Sequence, residues 1–518
     1  MRFGALVPDP AGPVPGYLWP RWIFLRGLGA IFFSAFFSLA FQIHGLIGPR
    51  GILPAGDYLH QVAQVLGPAE RFWYAPTLLW LGSGSAALTV LVAGGIVASL
   101  LLAANVCPRG MVAVCTVLFL SCVAALQDFS SYQSDGMLLE AGFISFFFAP
   151  RGVRPGLGAA DPPSRLSLFM LRWEWFRIYF ESGIVKLASG DPHWRDLTAM
   201  DEYYQNGPLP TWPGWYVQHF PHWYHAGTVI LTLVVELVLV WAVFAPRRFR
   251  IACFAVVTAL QIGIIATANY AFLNYLVLLL GILLLDDAVL ARARLSVPVS
   301  ASGPPRPRPV WRRAEAVALG VAVYVTVAGF LLPFFGGWGM PGAPVRLLAP
   351  FRIANSYGLF AVMTEARYEI EFQGSRDGRT WVAYPFRYKP QDPRAAPGIY
   401  APYQPRFEWN LWFASLGPWQ QSSWVVAAQQ RLIEGSPGVL RLFRRDPFGG
   451  RPPAMVRTVL YRYWFTDLET KRKTGMWWRR RQIGEFTGTL RRAPDGGWSL
   501  ENEPTALPPL NVTAPDGR

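Results

Sequence analysis

LSLFMLRWEWFRIYFESGIV, residues 166–185, is the stretch whose reading decides the fold. It matches the roughly 20 residues a helix needs to cross hydrocarbon, yet it carries Glu174, Arg177 and Glu181. At roughly 100° per residue, these three side chains fall within an arc of about 60° on an α-helix. A charge at bilayer depth is costly unless it is paired or faces a wet cavity. The stripe therefore reads in two ways. It is an internal ion network that fixes helix register, or a polar cavity for a headgroup, a proton path or a catalytic base. Arg172 and Lys186 lie nearer the ends and are expected to snorkel to the interface.

Composition agrees with a membrane setting. The chain has 518 residues, of which 52% are hydrophobic and 15% charged, against about 25% charged in soluble domains. The first apolar run has no small-residue cleavage site behind it, so no cleavable signal is expected. The net charge of +15 follows from basic loops beside apolar spans, so nucleic acid is not implied as a partner. Cys107, Cys115, Cys122 and Cys253 all lie in or beside apolar segments, without zinc or redox spacing. Abundant Arg and Pro suggest a bacterial source.

Nine spans can be drawn: 22–47, 82–104, 111–126, 136–148, 166–185, 226–244, 251–268, 271–285 and one opening at 314. The run 136–148 is short enough to be re-entrant instead. With the N-terminus cytoplasmic, Arg109, Arg151, Arg154, Arg165, Arg247, Arg248, Arg250, Arg292 and Arg294 all group inside. Asp128, Asp135 and the segment 186–225 then lie outside. The chain divides into a helical membrane bundle (1–297), a Pro/Arg-rich linker (298–313), a last transmembrane helix (314–334), an outer domain (335–492) and a loose tail (493–518). In the outer domain, 367–373 and 380–388 read as strands joined through Asp377-Gly378, a hairpin signal. Residues 409–415 and 422–433 read as helices, and Ser436-Pro437 as a cap and first position of another. Residues 456–465 and 477–486 read as strands. The fold class is thus a polytopic α-helical membrane protein of about eight or nine spans, with a C-terminal β-rich α+β extracytoplasmic domain.

Other polar groups at membrane depth could meet the stripe: Glu140, Glu236, Gln261, Asn269 and Asn274. His219, His222 and His225 are spaced for a helical turn, but Pro221 interrupts it, so an interfacial segment is expected rather than a metal site. There is no G-x-S-x-G, P-loop or H-E-x-x-H pattern. No catalytic residue, metal or cofactor is implied.

The run from Tyr132 through Gln133-Ser134-Asp135-Gly136-Met137-Leu138-Leu139-Glu140 to Phe143 resembles a signature segment of the lipase maturation factor family. Trp194-Arg195-Asp196-Leu197-Thr198, Asn269-Tyr270 with Asn274, and Asn355-Ser356-Tyr357-Gly358-Leu359-Phe360 resemble further ones. Phe386-Arg387-Tyr388-Lys389-Pro390, Pro405-Arg406-Phe407-Glu408-Trp409, Glu434-Gly435-Ser436-Pro437 and Leu460-Tyr461-Arg462-Tyr463 continue the likeness in order. The resemblance implies a membrane-bound factor that helps secreted lipases reach their folded, active form, in the endoplasmic reticulum for eukaryotic relatives and in the inner membrane for a bacterium. It implies secreted clients, lipases among them, and membrane lipids as partners. Trp194, Arg195, Asp196, Tyr357 and Trp409 become candidate contacts for clients on the outer face. Glu140, Glu174, Arg177, Glu181, Glu236, Asn269 and Asn274 become a membrane-embedded cluster with a binding or structural role. The membrane half is also distantly similar to DoxX-like and vitamin-K-carboxylase-type bundles. That keeps open an alternative, a membrane enzyme or lipid-handling protein centred on the Glu/Arg stripe. The outer part has no cysteine, which removes thiol–disulfide chemistry from it.

Overall fold

Long apolar runs broken by Pro, Gly and Arg become helices because only a helix satisfies its own backbone without water. The computed structural model describes residues 12–130, 132–295, 309–335, 340–502 and 504. Its bundle comprises α1 (Leu18–Ile47), α2 (Ser85–Ala103), α3 (Pro108–Ala125), α4 (Gln133–Phe148), α5 (Arg165–Ala188), α6 (His222–Leu237), α7 (Arg247–Thr267), α8 (Leu273–Gly281) and α9 (Pro309–Phe335). Among the described residues, 6 helices are long and apolar enough to cross a membrane: α1, α2, α3, α6 with its continuation to Phe244, α7 and α9. The chain is a polytopic membrane protein. The three other segments fall short for physical reasons: α4 and α8 are brief, and α5 carries the charged stripe. Residues 296–308, most of the expected linker, lie outside the described residues, and 309–313 already belong to α9.

Helix direction alternates, and one rim is held by arginine. Arg21 donates to the carbonyls of Leu157 at 2.9 Å and Gly158 at 2.8 Å. Arg26 reaches Leu102 O at 3.3 Å, Arg109 reaches Ala149 O at 3.0 Å and Arg172 reaches Leu283 O at 2.7 Å. Arg247 pairs with Asp286 at 2.7 Å. These bonds join the starts of α1, α3, α5 and α7 to the ends of α2, α4 and α8. Segment 133–148 is thus a continuous helix that runs from rim to rim over about 24 Å.

The opposite rim carries the C-terminal domain. Its sheet runs β2-β1-β3-β4-β5, all antiparallel. The strands are β1 (Arg367–Ser375), β2 (Val382–Ala383), β3 (Met455–Phe465), β4 (Trp478–Arg492) and β5 (Trp498–Glu501). Helices α10 (Arg406–Ala414) and α11 (Trp424–Ile433) cover it, and Ile370, Phe372, Phe407, Phe443 and Leu460 fill the space between. Arg406 grips Asp135 of α4 with two bonds of 2.7 Å, both side chains fully buried. Gln42 of α1 donates to Gln404 O at 2.9 Å and Arg431 donates to Gly51 O at 2.8 Å.

Three local expectations need correction. The strand expected over 380–388 shortens to Val382–Ala383. Pro385 has no N–H to give, and the N–H groups of Arg387, Tyr388 and Lys389 go to the Glu408 carboxylate at 2.8, 2.8 and 2.7 Å instead of to a neighbouring strand. The tail expected to be loose from 493 opens with β5, which pairs with β4 through Leu490–Leu500. Most of its remainder lies outside the described residues. Ser436 sits at the N-cap position but makes no cap bond. Its hydroxyl donates to Arg50 O at 2.6 Å and fastens the domain to the bundle.

Candidate functional site

Residues 355–364 form a strap with no regular structure, laid across the bundle where α4 begins and α5 ends. Buried backbone N–H and C=O groups must find partners. Here membrane-embedded side chains supply them. Asn355 N–H donates to Glu140 Oε2 at 3.0 Å, and Arg177 donates to Asn355 O at 2.5 Å. Tyr357 N–H donates to Glu181 Oε2 at 2.6 Å, and its hydroxyl donates to Glu140 Oε2 at 2.8 Å. Gly358 N–H meets Gln133 Oε1 at 3.0 Å and Leu359 N–H meets Ser182 Oγ at 3.3 Å. Further along, Lys186 donates to Leu359 O at 3.0 Å, Trp194 to Phe360 O at 3.1 Å and Asn206 to Thr364 O at 2.7 Å. Asp191 accepts from Met363 N–H at 2.6 Å. A side chain at Gly136 would come within 2.7 Å of Asn355 Oδ1, so glycine there lets the strap seat on α4.

Arg177 is the hub. It pairs with Glu140, stands 3.8 Å from Glu181 and lies 5.1 Å above the Tyr357 ring. Glu140, Arg177 and Glu181 are at most 2% exposed. Of the two carboxyls that share the α5 stripe with Arg177, only Glu181 lies near it. Glu140 of α4 takes the close contact and Glu174 takes none. Both Glu174 oxygens are buried without a hydrogen-bond partner.

The remaining sequence candidates separate into other places. Glu236 pairs with Lys186 at 2.9 Å. Lys186, expected to snorkel, is instead 3% exposed, because Glu236, Leu359 O and the Trp194 ring enclose it. Asn269 clamps the outer domain: its amide donates to Gly398 O at 2.9 Å and accepts from Tyr400 N–H at 2.6 Å. Asn274 is buried on the wall of a cavity between α6 and α7. Trp194 and Tyr357 are buried, Trp409 lines a second cavity under the strap, and Arg195 and Asp196 are exposed. The histidines diverge: His219 bonds Thr466 O at 2.9 Å, His222 pairs with Asp201 at 3.1 Å, and His225 is buried with both ring nitrogens unpartnered. Among the described residues no group of three or more His, Cys, Asp or Glu could hold a metal ion.

Sequence reading missed the strap as the partner of the stripe, and it missed Asp135–Arg406. The partners lie hundreds of residues apart, and no local spacing announces them. The usable signal was the cost of isolated charge in lipid, which demands a partner without naming it. Chemically, the arrangement is a docking device with one carboxylate left over.

Comparisons with known proteins agree with this geometry. Residues 19–292 match the family model described as Lipase maturation factor transmembrane domain, and residues 353–488 the Lipase maturation factor C-terminal domain. The first match ends before α9, and the second begins just ahead of the strap. The chain is 32% identical to Lipase maturation factor 2 of Homo sapiens, over 90% of this chain and 82% of that protein. It is 31% identical to Lipase maturation factor 1 of Bos taurus (93% and 91%) and 30% identical to Lipase maturation factor 1 of Homo sapiens (95% and 92%). No solved structure matches the chain.

Proposed function

The chain belongs to the lipase maturation factor family, and on that premise we propose that it is a maturation factor whose clients are exported lipases, held at the rim that carries the C-terminal domain. That rim is extracytoplasmic and the N-terminus cytoplasmic, in a bacterial inner membrane. The arginine-held rim supports this orientation, since Lys and Arg gather on the cytoplasmic side. The observation that carries the reading is the strap: carboxyl side chains from the bundle and from the loop after α5 hold the outer domain's entry segment by its backbone. That fixes a broad outer surface over the membrane. Glu140, Arg177 and Glu181 act as its anchor, with Glu236 through Lys186 and Asn269 through Gly398 as outlying ties. Arg195 and Asp196 face the client, Trp409 lines the cavity beside it, and Trp194 and Tyr357 hold the strap in place.

The test is deletion of the gene in its own host, with specific activity and abundance of each secreted lipase measured. Abundant but less active lipase is the expected result, and restoration requires the full chain. Unchanged specific activity across all exported lipases would remove the client assignment. A reporter fused after Arg518 that is active only in the cytosol would overturn the orientation.

A further inference from the structure

Between α6 and α7 lies a cavity of about 520 Å³, within the range of about 300–1,000 Å³ typical of small-ligand pockets. The two helices share a turn at one end, and exposed positions on both of them line the cavity, Gly227 and Leu231 on α6 and Gly263 on α7, so it opens between them. Ile178, Leu231, Leu260, Ile264 and Val277 give it apolar walls. Trp223, 74% exposed, stands at its mouth, the position an interfacial aromatic takes beside headgroups.

Two glycines flank the opening, Gly227 on α6 and Gly263 on α7. Glycine weakens a helix and is usually retained where another chain packs close. Neither is so packed: an added Cβ at either position would meet nothing within 4 Å. Their shared effect is to leave the passage open. Inside, Gln261 is 5% exposed; its amide nitrogen donates to the Tyr179 hydroxyl at 2.8 Å, and its Oε1 has no partner. A buried acceptor of this kind calls for a donor. The charge on the wall is already neutralised, because Lys186 is held by Glu236 and Leu359 O at 2.9 and 3.0 Å. An anionic headgroup finds no free cation there.

From these observations we propose that the cavity binds a neutral single-chain lipid with a hydroxyl-bearing head, such as a monoacylglycerol, taken laterally from the bilayer. The chain fills the apolar walls, and a head hydroxyl donates to Gln261 Oε1. This site is independent of the client assignment, since its readout is lipid occupancy rather than lipase activity.

The experiment uses the full chain in nanodiscs and three photoreactive probes with the same acyl chain: a monoacylglycerol, its fatty acid and its methyl ester. Monoacylglycerol should label peptides 227–236 and 259–267 about five-fold more than either other probe, the ratio set by one hydrogen bond. Gly227→Leu with Gly263→Leu, both favourable for helix, should block labelling with an unchanged unfolding midpoint. Gln261→Leu should equalise the three probes. If the double variant fails to fold, competition by unlabelled monoacylglycerol on the native chain serves the same purpose. Labelling that ignores the plug or the competitor, or equal labelling of the native chain by all three probes, overturns the proposal.

Discussion

The strap at 355–364 and strand β1, which begins at Arg367, are near neighbours that satisfy their backbones in opposite ways. Strand β1 exchanges bonds with β3 along a continuous register from Arg367↔Tyr463 to Ser375↔Met455. The strap leans on separate side chains from α4, α5 and the loop that follows, several of them carboxyls. A ladder loses little when one side chain changes, because its bonds are between main chains. A segment held by side chains has a single point of failure at each tie. The membrane charges are therefore explained by what they hold: they stand in for the ladder that an irregular segment lacks.

The comparison breaks most visibly at its hub. Arg177→Met strands Glu140 and Glu181 in a buried site, and removing one partner of a buried pair typically costs about 3–5 kcal/mol. We expect a large loss of thermal stability in detergent and protease cleavage within 355–364. Arg177→Lys should recover only part, since a lysine lacks the planar fork that serves carboxylate and carbonyl together. Should Arg177→Met unfold at the native temperature, the strap does not depend on this hub.

One outlying tie gives a smaller effect. Asp191→Ala removes the acceptor of Met363 N–H and of His193 N–H and leaves two half-buried donors unmade, a cost of about 1–3 kcal/mol. Hydrogen exchange should accelerate in the strap while amides of β3 keep their protection. Equal acceleration in both would show that strap and sheet open as one unit.

A third substitution sharpens the contrast within the stripe itself. Glu174→Gln should change stability by less than about 1 kcal/mol, because an amide oxygen keeps whatever the Ala141 backbone gives and no other hydrogen bond is present. Glu140→Gln, by contrast, removes the partner of Arg177, Asn355 and Tyr357. Similar losses for the two variants would mean that Glu174 has a partner of its own.

What the sequence made legible follows the same division. The helix expected at 166–185 is found as Arg165–Ala188, and the strand at 456–465 as Met455–Phe465, because apolar periodicity and β-rich composition are local signals. Likeness to the family pointed to Tyr357 and Asn355 as unusual residues without saying what they touch. Their partners, Glu140, Arg177 and Glu181, were legible only as misplaced charges. The Glu408 carboxylate that absorbs three N–H groups, and so ends β2 early, left no trace in local pattern at all. Register and side-chain ties between distant segments are set by tertiary packing, which no window of adjacent residues contains.

The smallest effect falls at a turn whose reading was entirely local. Asp377 accepts from Thr380 N–H at 2.7 Å and Arg379 N–H at 2.9 Å, ahead of Gly378 with its positive φ of 71°. Those backbone donors hold its carboxyl down at about 2, from an ordinary 3.8. A carboxyl lowered by folding adds stability that is present above its unfolded value and lost as pH falls through the folded one. The turn at 375–380 should therefore keep its amide protection at neutral pH and lose it as the solution is acidified through that window, while β3 stays protected. Asp377→Asn keeps an acceptor that does not titrate, so its protection should be lower but flat with pH. A flat profile in the native chain would show that the turn is held by its place beside β1 rather than by this carboxylate, and would make even this local feature a product of the ladder.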